Sequence, residues 1–199
     1  AEKVSKELSR EIDKAKETLL YSNFLELTAQ KEIIFKNWDE AEVRLNNALE
    51  LIKSPHSLDA FYIRKWQAIL QVMKDPSDSS GLKKLQTIKT EAQKRKHYET
   101  IRECDYYLAA STKNIKMLKY VYYSTPHEPY RRRIAGKIQE HGGSLQGKYE
   151  LDFGIGELAG TIDVENCRFI NDEICLKKNQ LLWRLFRLLV SDRYRPFRV

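Results

Sequence analysis

Apolar residues along the first 140 positions recur at steps of three and four, the spacing of one face of an α-helix; beyond them the step drops to two. Val4, Leu8, Ile12, Ala15 and Leu19 open the pattern, and Phe24, Leu25, Leu27, Ile33, Ile34 and Phe35 continue it. Asn37-Trp38-Asp39-Glu40 reads as a turn in which Asp39 caps the next helix by accepting from its free N–H groups. Ala41, Leu45, Ala48, Leu49 and Ile52 form that helix, and Pro55 stops it. Leu58 to Met73 is another, ended by Asp75-Pro76-Ser77-Asp78-Ser79-Ser80-Gly81. Leu82 to Ala110 is one long helix or two, broken at Ser111-Thr112. Ile115 to Tyr123 follows, and Pro126 and Pro129 bracket the start of a last helix, Tyr130 to Ile138.

Glycine marks the change of character. Seven of the eight glycines lie after residue 135. A glycine in a helix interior costs roughly 1 kcal/mol relative to alanine, so the boundary falls in His141-Gly142-Gly143-Ser144-Leu145-Gln146-Gly147. The expected organisation is a helical domain over 1–140 and a small sheet plus helix over 148–199. Lys148 to Phe153 alternates polar and apolar, and Thr161 to Val164 is a second strand. Cys167 to Ile170 and Glu173 to Leu176 form a hairpin around Asn171-Asp172, residues that tolerate positive φ. Gly154-Ile155-Gly156-Glu157-Leu158-Ala159-Gly160 is a turn between strands and not a nucleotide loop, because a strand-like segment follows it where a helix is needed. Leu181, Leu182, Leu185, Leu188 and Leu189, widened by Trp183, Phe186 and Val190, predict a helix buried on most sides, with Arg184 and Arg187 at its rim. The fold class is therefore mostly α: a helical repeat-like array with a small α+β C-terminal segment.

Charge adds one fact. The net formal charge is +7 over 199 residues, and the stretch from Lys177 to Val199 carries two Lys and five Arg against Asp192 alone. A local excess of that kind is a partner signal. Cys104, Cys167 and Cys175 are odd in number, without metal-site spacing, and read as free thiols of a reducing, cytoplasmic compartment. No apolar run approaches the ~18 residues of a membrane span. His56, His97, His127 and His141 have no ligand spacing, and no nucleophile motif or phosphate loop is present. The expectation is a non-enzymatic protein with no cofactor and no metal.

Two resemblances refine this. Trp38 to Leu51 resembles the second helix of a tetratricopeptide repeat, with Ala41, Leu45 and Ala48 at the small, bulky and small positions that let paired helices pack closely. The first-helix landmarks of that family are missing, and no 34-residue period emerges. Tyr149 to Phe153, Glu173 to Leu176 and Leu181 to Leu189 resemble the opening of a winged-helix domain of the OmpR/PhoB response-regulator type, which begins with a small antiparallel sheet and a first helix. The family's usual Thr after the strand-ending Leu is Lys177 here. That resemblance implies that Ser191 to Val199 turns towards a second helix, that Phe197 and Val199 pack near Leu189, and that the base-reading helix lies beyond. It also makes Lys177, Lys178, Arg187, Arg193, Arg195 and Arg198 the nucleic-acid-binding residues, with DNA bound only weakly by the part present.

Tyr106, Tyr107, Tyr120, Tyr122, Tyr123 and Tyr130 crowd one stretch beside Arg131, Arg132 and Arg133. Tyrosine and arginine are enriched at binding hot spots, so Tyr122, Tyr123, Tyr130, Arg131, Arg132 and Arg133 are candidates for contact with a partner protein or peptide. They also suit stacking on single-stranded nucleic acid, or the tyrosines are simply core. Three readings stand: a transcriptional regulator with a helical sensor or docking domain and an incomplete winged helix, a protein-interaction scaffold without DNA binding, and a helical RNA-binding module.

Overall fold

The computed structural model describes residue 7 and residues 18–145, 148–152, 159–163, 168–169, 174–175 and 179–191. The chain is mostly α. Eight helices are present among the described residues: α1 (Thr18–Ile34), α2 (Trp38–Glu50), α3 (Leu58–Lys74), α4 (Ser79–Arg95), α5 (Tyr98–Ser111), α6 (Ile115–Tyr123), α7 (Glu128–Glu140) and α8 (Gln180–Ser191). Between α7 and α8 run four short strands, β1 (Lys148–Asp152), β2 (Ala159–Asp163), β3 (Arg168–Phe169) and β4 (Ile174–Cys175). They pair antiparallel in chain order, with Lys148 opposite Asp163, Asp163 opposite Arg168 and Arg168 opposite Cys175. The chain divides into two compact units, Ala1–Glu91 and Ala92–Val199, the division falling inside α4.

In the first unit α2 packs on both α1 and α3, and α1 also touches α3. Ala41, Leu45 and Ala48 are fully buried, as are Ala29, Phe61, Ile69, Val72 and Leu85. The buried Ser22 hydroxyl on α1 donates to the carbonyl of Ala48 at 2.8 Å. That carbonyl stands in the last turn of α2, where helix carbonyls lack intrahelical donors. One helix thereby caps another.

In the second unit α6 packs on α5, on α7 and on β1. Leu118, Val121, Ile134 and Ile138 are fully buried between them, and the Tyr123 hydroxyl donates to the carbonyl of Leu145 at 2.7 Å.

Helix ends explain where expectation and structure part. Leu82 to Ala110 is two helices, α4 and α5, and their break contains neither Gly nor Pro: Lys96 takes a φ of 58°. The His97 N–H donates back to Ala92 O at 2.9 Å, closing the last turn as in a Schellman motif. The same device ends α1 at Lys36 (φ 61°, Asn37 N–H to Glu32 O at 2.9 Å) and α5 at Lys113 (φ 53°, Asn114 N–H to Ala109 O at 2.8 Å). At α7 it uses Gly142, φ 76°, with Gly143 N–H reaching Ile138 O at 2.8 Å. In the three lysine turns the residue that closes one helix is the N-cap of the next, which keeps each connection short.

Asp39 does not cap α2. Asn37 holds the N-cap position without a side-chain bond, and Asp39, one residue inside the helix, turns to Lys74 of α3 at 3.2 Å. Side-chain caps come instead from Ser57, which accepts from Ala60 N–H at 3.2 Å, from Asn114, which accepts from Met117 N–H at 3.0 Å, and from Asn179 at the start of α8. Asp78 accepts from Ser80 N–H at 2.8 Å, so α4 starts at Ser79 and includes Gly81. Pro129 sits in the first turn of α7, which begins at Glu128, because proline's missing N–H is not needed there.

Among the described side chains of the last helix the expected burial is found at Trp183 alone. Within α8, Trp183 is 5% exposed, yet Leu181 is 77% exposed, and Leu182 and Leu185 about half exposed. Nothing among the described residues covers that leucine edge, and apolar periodicity reports a face that suits burial, not what lies against it. Neither Cys104 nor Cys175 is in a disulfide; Cys104 is buried and Cys175 exposed. The helical pattern expected through Val4, Leu8, Ile12 and Ala15, the turn at 171–172, Cys167, and the packing of Phe197 and Val199 lie outside the described residues. So does the turn expected over 154–160, except for Ala159 and Gly160, which belong to β2 instead.

Candidate functional site

Two places in the molecule gather chemistry. The first is the tyrosine–arginine layer of the second unit. It forms because α5 and α7 turn aromatic and cationic positions towards one another. Tyr106 and Tyr107 on α5 are 3% and 2% exposed, their rings edge to face at 5.0 Å between centroids. Tyr130 of α7 lies 5.7 Å from Tyr106. The Arg133 guanidinium stands 4.8 Å from the Tyr106 centroid and 5.3 Å from that of Tyr107, and donates to the Tyr107 hydroxyl at 2.7 Å. Arg102 of α5 lies over the Tyr130 ring at 5.2 Å, donates to Thr125 Oγ1 at 2.9 Å and pairs with Glu99. Burial pushes the phenol pKa of Tyr107 up against the opposing pull of Arg133, and pushes that of Tyr130 further up, with the Glu103 carboxylate adding to the shift. Both phenols are therefore neutral at physiological pH.

The three consecutive arginines of α7 go three ways, as residues spaced about 100° apart on a helix must. Arg131 stacks on Tyr122 of α6 at 4.6 Å, Arg132 reaches back to Glu128 at 3.5 Å on an exposed surface, and Arg133 enters the tyrosine layer. Tyr122 and Tyr123 pack edge to face at 5.0 Å, both half-buried. Of the six residues expected to contact a partner protein, Arg132 and Arg133 are exposed, Arg132 with 78% of its side chain in solvent, and the other four are half-buried.

The basic C-terminal residues are not brought together within the described part. Arg187 stands on α8 where side chains are outside the description, and Lys177, Lys178, Arg193, Arg195 and Arg198 lie outside the described residues.

The second place is one that the sequence reading missed. A cleft of about 1080 Å³ opens in the first unit, lined by α2, α3 and α4. Arg64, Gln67, Gln71 and Lys74 line it from one face of α3; Ser80, Lys83, Lys84, Thr87 and Glu91 line it from one face of α4; Glu42 and Asn46 come from α2. Gly81 sets one end: a Cβ there would meet Gln71 Cγ at 3.0 Å and Val72 Cγ2 at 3.3 Å, so α3 and α4 close up at that point. Ala68, Leu70 and Ile88 supply apolar floor, and the polar side chains around it are bonded to one another. Gln67 Nε2 donates to Asn46 Oδ1 at 2.9 Å, Lys84 Nζ donates to Gln71 Oε1 at 2.9 Å, and Gln71 Nε2 donates to Asp78. Lys74 pairs with Asp39 and Glu42 at 3.2 and 3.6 Å, and these carboxylates raise its pKa. Arg64 reaches Glu91 at 4.0 Å and donates to Pro55 O at 2.7 Å. The available signal was the run of polar residues at helical spacing opposite the apolar stripe of α3 and α4, which also fits a plain solvated face.

Among the described residues no group of three His, Cys, Asp or Glu is arranged to hold a metal ion, and no described helix is long and apolar enough to cross a membrane. No family model, no curated protein and no solved structure matches this chain.

Proposed function

We propose that this chain is a non-enzymatic, cytoplasmic regulator: its helical part docks a partner protein, and its last part begins a winged-helix domain that contacts DNA. One observation carries the DNA side. Four antiparallel strands in chain order lead into a helix, α8, whose Leu181, Leu182 and Leu185 form an uncovered apolar edge. An edge of that kind belongs to a domain core or an interface. Sheet first and helix second is the order of the OmpR/PhoB-type output domain. Asn179 caps α8 by accepting from Leu182 N–H at 3.1 Å, which fixes the start of the helix directly after the sheet. On the helical side, the burial of Ala41, Leu45 and Ala48 supports close helix pairing of the tetratricopeptide kind. The RNA-binding reading is weaker, because the rings and guanidiniums it needs are engaged with one another.

The test is a pair of unrelated DNA duplexes titrated with this chain across a salt series. Binding through phosphates alone is weak, indifferent to sequence, and falls with a log–log slope of about 0.9 per phosphate neutralised. Absence of any binding at low salt selects the scaffold reading. Sub-micromolar discrimination between the duplexes at physiological salt removes the assignment of α8 to a first, non-reading helix.

A further inference from the structure

We infer that the α2–α3–α4 cleft of the first unit is a groove for an extended, acidic segment of a partner protein. The inference rests on reading the helical part as a docking domain, and supplies the site and the chemistry of what docks.

Length comes first. From Arg64 to Lys74 the lining face of α3 rises ~15 Å, and from Ser80 to Glu91 that of α4 rises ~16 Å, at 1.5 Å per residue. An extended peptide advances ~3.3 Å per residue, so the groove takes four or five residues lying along it. The cleft is therefore larger than an inorganic ion needs and matches a short stretch of chain.

The amides come next. Asn46, Gln67 and Gln71 line the groove, one helical turn separating the two glutamines. A side-chain amide has both donors and an acceptor, the complement of a peptide unit. The bond from Gln67 Nε2 to Asn46 Oδ1 uses the donor end of one and the acceptor end of the other, leaving the opposite ends of that pair for an incoming main chain. An exposed extended segment brings main-chain N–H and C=O groups that need such partners.

Charge then selects the side chains. Glu42 is matched by Lys74, and Glu91 by Arg64. Lys83 and Lys84, adjacent on the α4 wall and exposed, make no ion pair among the described residues, and Lys84 is held towards the groove by its bond to Gln71. The lining thus carries four cations, Arg64, Lys74, Lys83 and Lys84, against the carboxylates of Glu42 and Glu91. Asp78 offsets part of the Lys84 charge, so the excess is greatest at Lys83 on the α4 wall and favours a partner with Asp or Glu facing α4. A nucleic-acid strand fits less well. Single-strand sites combine a basic track with aromatic stacking platforms, whereas no aromatic side chain lines this cleft and two carboxylates interrupt it.

The experiment is selection of a phage-displayed random dodecapeptide library on the full chain, followed by titration of the recovered peptides against the unaltered chain and two variants. The expected peptides are enriched in Asp and Glu, bind more weakly as salt rises, and lose at least ten-fold in affinity to Lys83→Glu/Lys84→Glu. Both lysines are exposed, so circular dichroism of that variant should match the unaltered chain. Asn46→Ala/Gln67→Ala should weaken all the recovered peptides to a similar degree, whatever their acidity. Peptides without acidic bias, or affinities unmoved by the lysine reversal, overturn the inference. Displacement of the peptides by oligo(dT) at lower concentration than by unlabelled peptide also overturns it, and makes the cleft a nucleic-acid surface. If the recovered peptides are instead lost on Arg132→Glu, docking survives at the α7 surface and the cleft assignment alone fails.

Discussion

Arg132 and Arg133 are neighbours on one helix with the same charge, and the structure gives them opposite weights. Arg133→Gln removes a guanidinium 4.8 Å from the Tyr106 centroid and 5.3 Å from that of Tyr107, together with its 2.7 Å bond to the Tyr107 hydroxyl. A partly desolvated cation–π contact contributes ~0.5–2 kcal/mol and a charge-assisted hydrogen bond ~1.5–3 kcal/mol. One group makes both, so the values overlap rather than add, and solvent on the open side of Arg133 lowers them further. The expected loss is about 2 kcal/mol. Arg132→Gln removes only an exposed pair with Glu128 at 3.5 Å, and exposed pairs of this kind contribute ~0–1 kcal/mol. Arg133→Lys keeps the charge but loses the planar fork that stacks and donates together, and should recover less than half of the loss. Urea unfolding followed by near-ultraviolet circular dichroism reads this directly, because Tyr106, Tyr107, Tyr122, Tyr123 and Tyr130 all belong to the second unit. A neutral Arg133→Gln, or equal costs for the two arginines, would refute the view that the tyrosine layer is held by Arg133, and would return Arg133 to the list of residues free to grip a partner.

Ser22→Ala should cost about 1–3 kcal/mol in the same unfolding assay, since it strips the buried Ala48 carbonyl of its donor while changing side-chain volume little; a loss near zero means that water replaces the hydroxyl. Lys96→Gly should stabilise by ~0.5–1 kcal/mol, because Lys96 holds a left-handed φ of 58° that costs a residue with a Cβ about that much; a lower melting temperature would contradict it. Stability should also fall at high pH. Tyr107 and Tyr130 have folded-state pKa values raised above their unfolded ones, so the folded chain holds their protons where the unfolded chain releases them. Their contribution is fully present below about pH 10, the unfolded phenol value, and is lost as pH rises towards the folded values. Absorbance at tyrosinate wavelengths during an alkaline titration should therefore show a late fraction that appears only with unfolding, and a single early titration of every tyrosine would exclude the buried layer.

Much of the helical part was legible from residue order. Steps of three and four placed α2, α3, α6 and α7 to within a few residues, because an amphipathic helix writes its buried face into the chain, and Ala41, Leu45 and Ala48 are buried where that face was drawn. Local order also decided that Arg131, Arg132 and Arg133 cannot share one site, since consecutive residues on a helix point apart. Tertiary structure decided the rest. The break at Lys96 carries no glycine or proline, and left-handed lysines become readable only once the hydrogen bonds that close each helix are drawn. Asp39 sits where a cap was expected but is drawn to Lys74, 35 residues away, because a cation on a neighbouring helix competes with the helix end. Leucines 181, 182 and 185 have the spacing of a buried face and remain exposed, for periodicity records what a helix can bury and not what is there to bury it. The cleft was invisible for the converse reason. Its lining mixes ordinary polar positions with Ala68, Leu70 and Ile88 on α2, α3 and α4, and they become one surface only through the packing of those helices and the close approach at Gly81, neither of which is stored in any single stretch of sequence.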